Sequence, residues 1–514
     1  MQKIFTLIIL LVSTKMYAQL PEDAVRYSWF PQNGTARSLA FGGAVGSLGG
    51  DLTSAFVNPA GIGFYKTNEA VFSPAFLLNS VKTNYRGNDF SNKRNIFSLG
   101  TSGVVIAIPN QFNTKKSNAF SIAFTQNTSF NNLVYYKGLN NYSSFSEKFA
   151  EEFSGLKTTI GNVLNTNSIA PYTAAVALQT YLIDTIRVNG VPIVKAAPEY
   201  ILDANQALMQ EMTKTTKGGM YELGFTFSGN DGEKFLWGAT VGIPIVNYES
   251  NTLFTENDTS SNTTNYFNSF SFNDNFKTTG AGINAKIGII FRPKEYIRLG
   301  LAVHTPTYMT LVDSRQTYLK TSIENPIQNF EASSDLFTEG KRGVARYIQS
   351  TPLRIIASGS YVFREVENVE KQRGFISADI EYVNHSGSRF SSDAEQPTVD
   401  QQTYYKQLNA VVKDIYKGNI NLRLGGEIKF NTIMGRLGVG YYGNPYKDAP
   451  SKANMLTLSG GLGYRNKGFF IDLTYVRLMS KDFDIPYRLE NTQNVYANVN
   501  QQRGNIAATF GVKF

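Results

Sequence analysis

The side chains that most often carry out chemistry are scarce in this sequence. The 514 residues include no cysteine and only two histidines, His304 and His385. Without cysteine the chain has no disulfide framework, thiolate metal site or cysteine nucleophile. No Gly-x-Ser-x-Gly or His-Glu-x-x-His motif occurs. We therefore predict no catalytic residue, no metal site and no cofactor. An enzyme would need one of the two histidines, or a lysine, as its base.

Nucleotide and nucleic-acid binding are also disfavoured. The spacing of Gly43, Gly46 and Gly49 suggests a phosphate-binding loop, but the strand before it, the helix after it and the Lys-Ser/Thr pair are missing. The net charge of +9 comes from basic residues spread along the chain, not from a basic patch. Asp51, just after these glycines, is interpreted as a turn or capping residue.

Composition and hydrophobic patterning favour a β-structure. Apolar residues make up 42% of the chain and charged residues 17%, with 36 Phe, 29 Tyr and 44 Gly. Mean hydropathy is −0.22, which excludes a polytopic helical membrane protein. Residues 420–430 alternate strictly, and the same alternation recurs near 297–303, 376–382 and 505–514. Period two with one apolar face predicts half-exposed strands.

The polar face of these strands distinguishes a barrel from a sandwich. In 420–430 the apolar face consists of Ile420, Leu422, Leu424, Ile428 and Phe430. The opposite face consists of Asn421, Arg423, Glu427 and Lys429. A soluble sandwich buries its apolar faces between sheets, whereas a transmembrane barrel turns them to lipid and its polar faces to the lumen. We predict an all-β fold, a transmembrane antiparallel β-barrel.

The connections support this prediction. We count fourteen strands, at about 69–83, 95–108, 117–137, 219–229, 234–249, 279–291, 295–320, 348–363, 373–386, 418–430, 434–443, 454–465, 468–480 and 503–514. Alternate links are short, and most of the links between them are long. Outer-membrane barrels have short periplasmic turns and longer extracellular loops. We therefore predict a barrel in the outer membrane of a Gram-negative cell.

The N-terminus indicates export. Residues 1–18 contain a short basic region, an apolar run of about ten residues and a small residue at the end. This pattern is typical of a secretory signal peptide. The apolar run is too short to span a bilayer, which needs roughly 20 residues. The mature chain is expected to begin near residue 19.

The longest link, 138–218, has helical periodicity. Ser144 and Glu147 have capping-box spacing, and Phe145, Phe149 and Phe153 follow at helical spacing. Further helical runs are predicted from Pro171 to Ile183 and from Pro198 to about Met212. Two interpretations remain open: an extracellular helical cap that packs on itself, or an external landing site for an apolar ligand.

Residues 19–67 precede the barrel domain, which covers 68–514. They are rich in glycine and other small residues and show little alternation. The lumen of a fourteen-strand barrel is too wide for wall side chains alone to fill. Because glycine-rich backbone packs closely, we predict that this segment forms a plug, or hatch, inside the lumen.

The sequence resembles the FadL/TodX-type outer-membrane transport proteins, which carry long-chain fatty acids and aromatic hydrocarbons. The matching stretches follow the family's order through most of the chain and look like those of a Bacteroidetes-type branch. They are Ala36–Ala44, Asp51, Asn58–Gly61, Gly280–Ala285, Pro293, Arg298–Gly300, Thr305–Thr307, Arg436–Gly440 and the hairpin Leu458–Tyr475.

The resemblance implies a mechanism. A hydrophobic ligand binds outside, moves to a deeper pocket, shifts the hatch and leaves sideways beside a kink in the third strand. When the family's contact between hatch and kink is carried over to this sequence, the hatch residues that make it are Asn58, Pro59 and Ala60. The kink candidates are Gln126 and Asn127, which also fit the simpler interpretation of lumen-facing residues.

The implied partners are a hydrophobic small molecule and outer-membrane lipid, with no nucleic acid. We expect a narrow pocket beneath the loops, lined by Phe and Tyr, but the sequence does not name its residues. A monomer is the family default, since a closed barrel has no free edge. The alternative function is a barrel of the same fold that binds a protein of a secretion or assembly complex through its extracellular loops.

Overall fold

The chain is described by a computed structural model. The structure describes residues 21–113, 115–324, 326–363, 373–447, 453–490 and 492–514. The predicted signal peptide, residues 1–18, lies outside them. None of the helices in the described part of the chain is long and apolar enough to cross a bilayer.

Fourteen antiparallel strands form a closed barrel. Several consist of two segments separated by a short break. They are β1 (Glu69–Phe72 and Pro74–Tyr85), β2 (Asn88–Leu99 and Ser102–Pro109), β3 (Ser117–Ser129 and Asn132–Asn140), β4 (Leu208–Asp231), β5 (Phe235–Asp258), β6 (Ser269–Lys294), β7 (Ile297–His304 and Tyr308–Ile323), β8 (Gly343–Ser350 and Arg354–Phe363), β9 (Gly374–Asn384 and Arg389–Ser392), β10 (Gly418–Phe430), β11 (Ile433–Tyr442), β12 (Asn454–Asn466), β13 (Phe469–Asp484) and β14 (Ala497–Lys513).

The barrel closes because β14 pairs with β1. Their register runs from Ala75 opposite Ala507 to Asn84 opposite Asn498. The predicted strand count and antiparallel barrel are confirmed. Strands β4, β5 and β6 have 24, 24 and 26 residues, longer than predicted, because their polar outer ends continue the ladder beyond the apolar alternation.

The two faces of the barrel wall show the predicted alternation of apolar and polar side chains. On β10, Leu422 is 46% exposed on the outer face, whereas the neighbouring Arg423 is 2% exposed on the inner face. On β9, Ile380 faces out and Asp379 is buried inside. Apolar side chains thus form the outer belt of a membrane-spanning barrel, and charged side chains line the lumen.

Residues 21–66, here called the N-terminal segment, contain short helical turns. These are α1 (Asp23–Arg26), α2 (Ala36–Ala40), α3 (Ser54–Val57) and a 3-10 helix, Pro59–Phe64. The long links contain α4 (Glu147–Leu156), α5 (Ile160–Val163), α6 (Ala174–Gln179), α7 (Glu199–Asp203), α8 (Val399–Ile415) and the 3-10 turn Ser334–Phe337. A further 3-10 turn, His385–Gly387, lies between the two segments of β9.

The link 141–207, here called the cap, is less helical than predicted. A β-hairpin, Ile183–Val188 with Val191–Ala196, follows α6, and β4 begins at Leu208, inside the third predicted helix. Asn189 and Gly190 both have positive φ, at 52° and 82°. Two such residues form the tight turn that joins strands in a hairpin, and the β-branched residues beside it favour extended backbone over helix.

Candidate functional site

The barrel wall is interrupted between its second and third strands. The lower segments, Ser102–Pro109 of β2 and Ser117–Ser129 of β3, pair with each other. Above them, Asn88–Leu99 pairs with β1 and Asn132–Asn140 pairs with β4. Within the described residues no ladder joins these two upper segments. The resulting gap between them is here called the wall break.

The wall break begins where β3 leaves its regular register. Gln126 pairs with Tyr221 of β4 and Thr128 with Met220, so Asn127 is an extra residue between adjacent partners. An extra residue of this kind bends a strand and disrupts its ladder. The two kink candidates from the sequence, Gln126 and Asn127, therefore lie at this irregularity. Their role in gating stays a prediction.

Beyond the bend, the upper segment of β3 packs against the inner face of β1. The hydroxyl of Thr83 donates to the carbonyl oxygen of Tyr135 at 2.5 Å. The rings of Tyr85 and Tyr136 lie 4.8 Å apart, and both residues are buried. The strand has thus moved out of the wall toward the lumen, and the facing edge of β2 loses its neighbour.

Polar side chains cover the backbone at the wall break. The Gln126 side-chain oxygen accepts hydrogen bonds from the Ser98 hydroxyl, at 2.8 Å, and from the Leu99 amide, at 3.3 Å. The Asn33 side-chain amide donates to the carbonyl oxygens of Gln126, at 2.6 Å, and Leu99, at 3.2 Å. Unpaired backbone groups are costly next to lipid, so these contacts stabilise an opening that would otherwise be unfavourable.

The two kink candidates make different contacts. Gln126 bonds to wall backbone at the break, whereas the Asn127 side chain donates to Glu222 at 2.8 Å inside the lumen. Glu222 is also paired with Lys286. The simpler interpretation, a lumen-facing residue, therefore describes Asn127 better than Gln126.

The N-terminal segment lies within the ring of strands. Its carbonyl oxygens accept hydrogen bonds from side chains of β4, β5, β7, β12 and β13. The five hydrogen bonds are 2.6–3.3 Å long. With the accepting residue first, the pairs are Ala36 with Thr474, Ala40 with Ser459, Leu48 with Arg298, Ala55 with Thr240, and Ala60 with Ser228. These contacts surround the segment, which fits a plug. Its action as a movable hatch stays a prediction.

Asn58, Pro59 and Ala60 lie away from the wall break. The Asn58 side chain donates to the carbonyl oxygens of Gly46, at 2.6 Å, and Ile289 of β6, at 3.1 Å. Its side-chain oxygen accepts from the Ala60 amide and caps the 3-10 helix that begins at Pro59. The contact with the kink that the resemblance assigned to these residues is made instead by Asn33.

Sequence reasoning missed Asn33. It lies in the run Pro31-Gln32-Asn33-Gly34, which has turn composition and no alternation. Such composition predicts a turn but does not say which side of a barrel the turn faces. Only the closed ring of strands brings this turn opposite Gln126.

A small cavity lies between the N-terminal segment and the wall break. Its volume is about 90 Å³. Most of its lining residues are polar, among them Gln32, Asn33, Ser98, Gln126 and Arg503. The pocket of Phe and Tyr expected beneath the loops is not found at this position. Many of the aromatic side chains near the loops are packed into a core instead.

The cap packs on itself and on the strands below it. Phe145, Phe149 and Phe153 are each at most 5% exposed, and the Phe145 ring stacks on Phe254 of β5 at 4.4 Å. The interpretation of a self-packed cap therefore describes these residues, and they offer no external landing site.

Burial also shifts titration in the cap. Burial raises the pKa of Glu147 to about 7, although a hydrogen bond from the Ser144 amide opposes the shift. Burial lowers the pKa of Lys148 to about 8, and its ammonium group lies 3.7 Å from the centre of the Phe145 ring. Both shifts have the same cause, since burial favours the neutral form of a titratable group.

The histidines and Asp51 make structural contacts. His304 Nε2 lies 2.9 Å from the carbonyl oxygen of Val57, and His385 Nδ1 lies 3.0 Å from the Ser28 hydroxyl. The Asp51 carboxylate accepts from the Thr35 hydroxyl at 2.8 Å. Each contact ties the N-terminal segment to the wall or to itself. Among the described residues no cluster of three or more His, Cys, Asp or Glu side chains could hold a metal ion.

Comparison with known proteins shows the fold. No family model and no curated protein matches the sequence. The structure of a Pseudomonas aeruginosa FadL homologue matches with a TM-score of 0.51 at 14% identity, covering 94% of this chain and 99% of that chain. The P. putida toluene transporter TodX matches with a TM-score of 0.52 at 12% identity and the same coverage. The FadL-type outer-membrane barrel fold indicated by the sequence motifs is thus confirmed.

Proposed function

We propose that this protein passes hydrophobic small molecules across the outer membrane. The ligand class is that of the resemblance, long-chain fatty acid-like or aromatic. In this proposal the ligand displaces part of the N-terminal segment and leaves sideways through the wall break. The Bacteroidetes-type branch and a monomeric state remain predictions.

The observation that carries the proposal is the wall break itself. A barrel that only anchored loops would gain stability from continuous pairing of β2 with β3. Here that pairing is lost beside the lumen cavity, and the polar contacts of Asn33 and Gln126 replace it. These hydrogen bonds are few and local, so contacts with a passing ligand can replace them.

The direction of exit follows from solvation. Transfer of apolar surface from water to hydrocarbon is favourable by about 25 cal/mol per Å². At the lower end of the break, Phe97 of β2 and its partner Phe76 of β1 face outward and belong to the apolar belt. A ligand that leaves at this level enters lipid directly and avoids the cost of dissolving in water.

The known proteins of this fold point the same way. One structural match is described as a toluene transporter and the other as a FadL homologue. At 12–14% identity they do not name the ligand of this chain.

The proposal is tested by measuring uptake in a variant whose cavity is filled by a large side chain. Ser98 is buried and lines the cavity, so Ser98→Trp places an indole ring in it. We expect uptake of labelled laurate and toluene to fall about tenfold or more, because the indole ring raises the free-energy barrier to passage of the ligand by a few kcal/mol. Asn95→Trp is the matched control, because Asn95 lies on the same strand and is exposed. Equal uptake by both variants would refute passage through the cavity.

One exposed apolar surface supports the alternative function, a barrel that binds a protein. The hairpin of the cap exposes Val188, Val191 and Ile193 at its tip, and small apolar patches of this kind occur at protein interfaces. Co-purification of a stoichiometric protein partner, together with no uptake of either probe, would favour this alternative.

A further inference from the structure

The outer face of the barrel carries a group of basic side chains on four neighbouring strands. The strands are β13, β14, β1 and β2, which pair in that order around the closure of the barrel. The basic residues are Lys82 of β1, Lys93 of β2, and Arg477 and Lys481 of β13. All four are exposed. This set is here called the basic patch.

The register places the basic patch directly above an apolar row of the outer belt. The row consists of outward-facing side chains that pair across the four strands, namely Phe97, Phe76, Ile506 and Tyr475. Every second residue beyond this row points to the same face. Counted along its strand from the row, Arg477 is two residues away, Lys93 is four, and Lys82 and Lys481 are six. The basic patch therefore faces outward, where the apolar belt ends.

The basic patch lies on the extracellular side of the membrane. Strand β13 begins after the two-residue turn 467–468 and ends at Asp484, before the long link 485–496. Short turns lie on the periplasmic side of such barrels and long loops lie outside. The outer face of β14 is apolar from Ile506 to Phe514 and polar at Gln502 and Asn500. The basic patch is thus at the level of the head groups of the outer leaflet.

No carboxylate neutralises the basic patch. Among the residues that the structure describes, none of its four side chains forms an ion pair. Elsewhere on the wall, the Lys277 ammonium lies 2.7 Å from Glu249, and the Lys320 ammonium lies 3.2 Å from Glu331. The four strands carry one outward carboxylate above the belt, Asp89, at the far edge beside the β1–β2 turn. Cations grouped in this way repel each other, so a bound anion would stabilise them.

Neutral hydrogen-bonding side chains occupy outward positions between these cations. They are Ser80, Ser91, Asn500 and Gln502. Lys82 and Lys481 both lie opposite Asn500, so their strands are about 10 Å apart. The Arg477 guanidinium donates to the Gln502 side chain at 3.2 Å. Lysine and arginine are the side chains that bind phosphate oxygens most strongly, so the basic patch suits a phosphorylated group.

We propose that the basic patch binds a lipid of the outer leaflet whose head group carries phosphate. The cations contact the phosphate oxygens, and the acyl chains lie along the apolar row below. A lipid fits better than a soluble partner, because the charges border directly on surface that faces hydrocarbon. This inference goes beyond the proposed transport function and does not depend on the ligand or its exit.

Native mass spectrometry of the mature protein in a neutral detergent tests the inference. The probes are diphosphoryl lipid A and the same lipid without its phosphates. We expect the phosphorylated probe to bind more tightly. Lys82→Gln with Lys481→Gln should weaken its binding by about 10- to 30-fold, because each basic side chain near a membrane surface contributes about fivefold. Binding of the dephosphorylated probe should not change.

The matched control is Lys217→Gln with Lys277→Gln. It removes the same charge from outward positions of β4 and β6 on either side of Glu249, and it should leave lipid A binding unchanged. Heat-modifiable migration on a gel shows that each variant is folded.

Three results would overturn the inference. The first is equal binding of the two probes, the second is equal loss in the two double variants, and the third is no binding of lipid A. A protein that co-purifies with the barrel and is lost from the Lys82→Gln, Lys481→Gln variant, without lipid A binding, would reassign the basic patch to a protein partner.

Discussion

Replacing Gly438 with valine is expected to open an ion leak through the barrel while the barrel still folds. A β-carbon at Gly438 would lie 2.1 Å from the Gly42 amide nitrogen and 2.2 Å from the Phe41 carbonyl carbon. Backbone atoms cannot yield to such a contact as a flexible side chain can. The N-terminal segment must therefore move off the wall.

The expected magnitude follows from the width of the lumen. An unplugged barrel of this size holds a water-filled channel, so conductance in planar bilayers should rise about tenfold or more above the closed level. Val is a favourable strand residue, so the strand ladder should survive. Heat-modifiable migration on a gel would confirm that the barrel remains folded.

The same strand provides the control. Gly435 faces outward, and a β-carbon there would meet nothing within 4 Å. Gly435→Val should stay closed. If both variants stay closed, the N-terminal segment does not seal the lumen at Phe41 and Gly42, and its assignment as a plug is wrong.

Removing Arg423 is expected to cause the largest loss of stability. Its guanidinium lies 3.0 Å from Glu381 and 3.4 Å from Asp379, and all three side chains are at most 3% exposed. Arg423→Met would leave the Asp379 carboxylate buried without its cation and would leave Glu381 with only Arg354, at 3.7 Å. Loss of one partner of a buried ion pair costs about 3–5 kcal/mol, and Asp379 also accepts the Gly46 amide.

Urea unfolding in detergent measures this loss as a lower free energy of unfolding. Adding Asp379→Asn to Arg423→Met removes the carboxylate charge left without a cation and should recover most of the loss. Arg346→Met is the control, because that arginine is exposed on β8. A loss no greater than that of the control would mean that the lumen charges do not stabilise the barrel.

The fold was predictable because one physical rule applies at every strand. Leu422 and Arg423 are neighbours with opposite burial, and a residue-by-residue alternation of this kind is visible in sequence. Lipid on one side and a polar lumen on the other fix which face is which. The count of fourteen strands followed from the same rule.

The wall break was only partly predictable. The polar run that includes Gln126 and Asn127 interrupts the alternation, so an irregularity there was visible in the sequence. The contact of Asn33 with Gln126 joins residues 93 positions apart, and no local pattern encodes it.

The hairpin of the cap was missed for a different reason. The predicted helical runs ended at Ile183 and began again at Pro198, so the hairpin strands Ile183–Val188 and Val191–Ala196 occupy a stretch for which no element was predicted. The Asn189-Gly190 turn was the stronger signal, since both residues tolerate positive φ.

The central claim, that movement of the N-terminal segment beside the wall break permits transport, is tested most directly by a reversible lock. The chain has no cysteine, so Gln32→Cys with Gly43→Cys introduces its only thiols. A β-carbon at Gly43 would lie 3.4 Å from that of Gln32, close to the roughly 3.5–4.5 Å of a disulfide. The bond would join the turn at the cavity to the part of the segment fixed on the wall.

The measurement is uptake of laurate and toluene by cells carrying the double variant, oxidised and then reduced, with each single-cysteine variant as a control for the substitution itself. We predict that oxidation lowers uptake to the level of cells without the protein and that reduction restores it. Uptake that is the same in the oxidised and reduced states would contradict gating by the N-terminal segment.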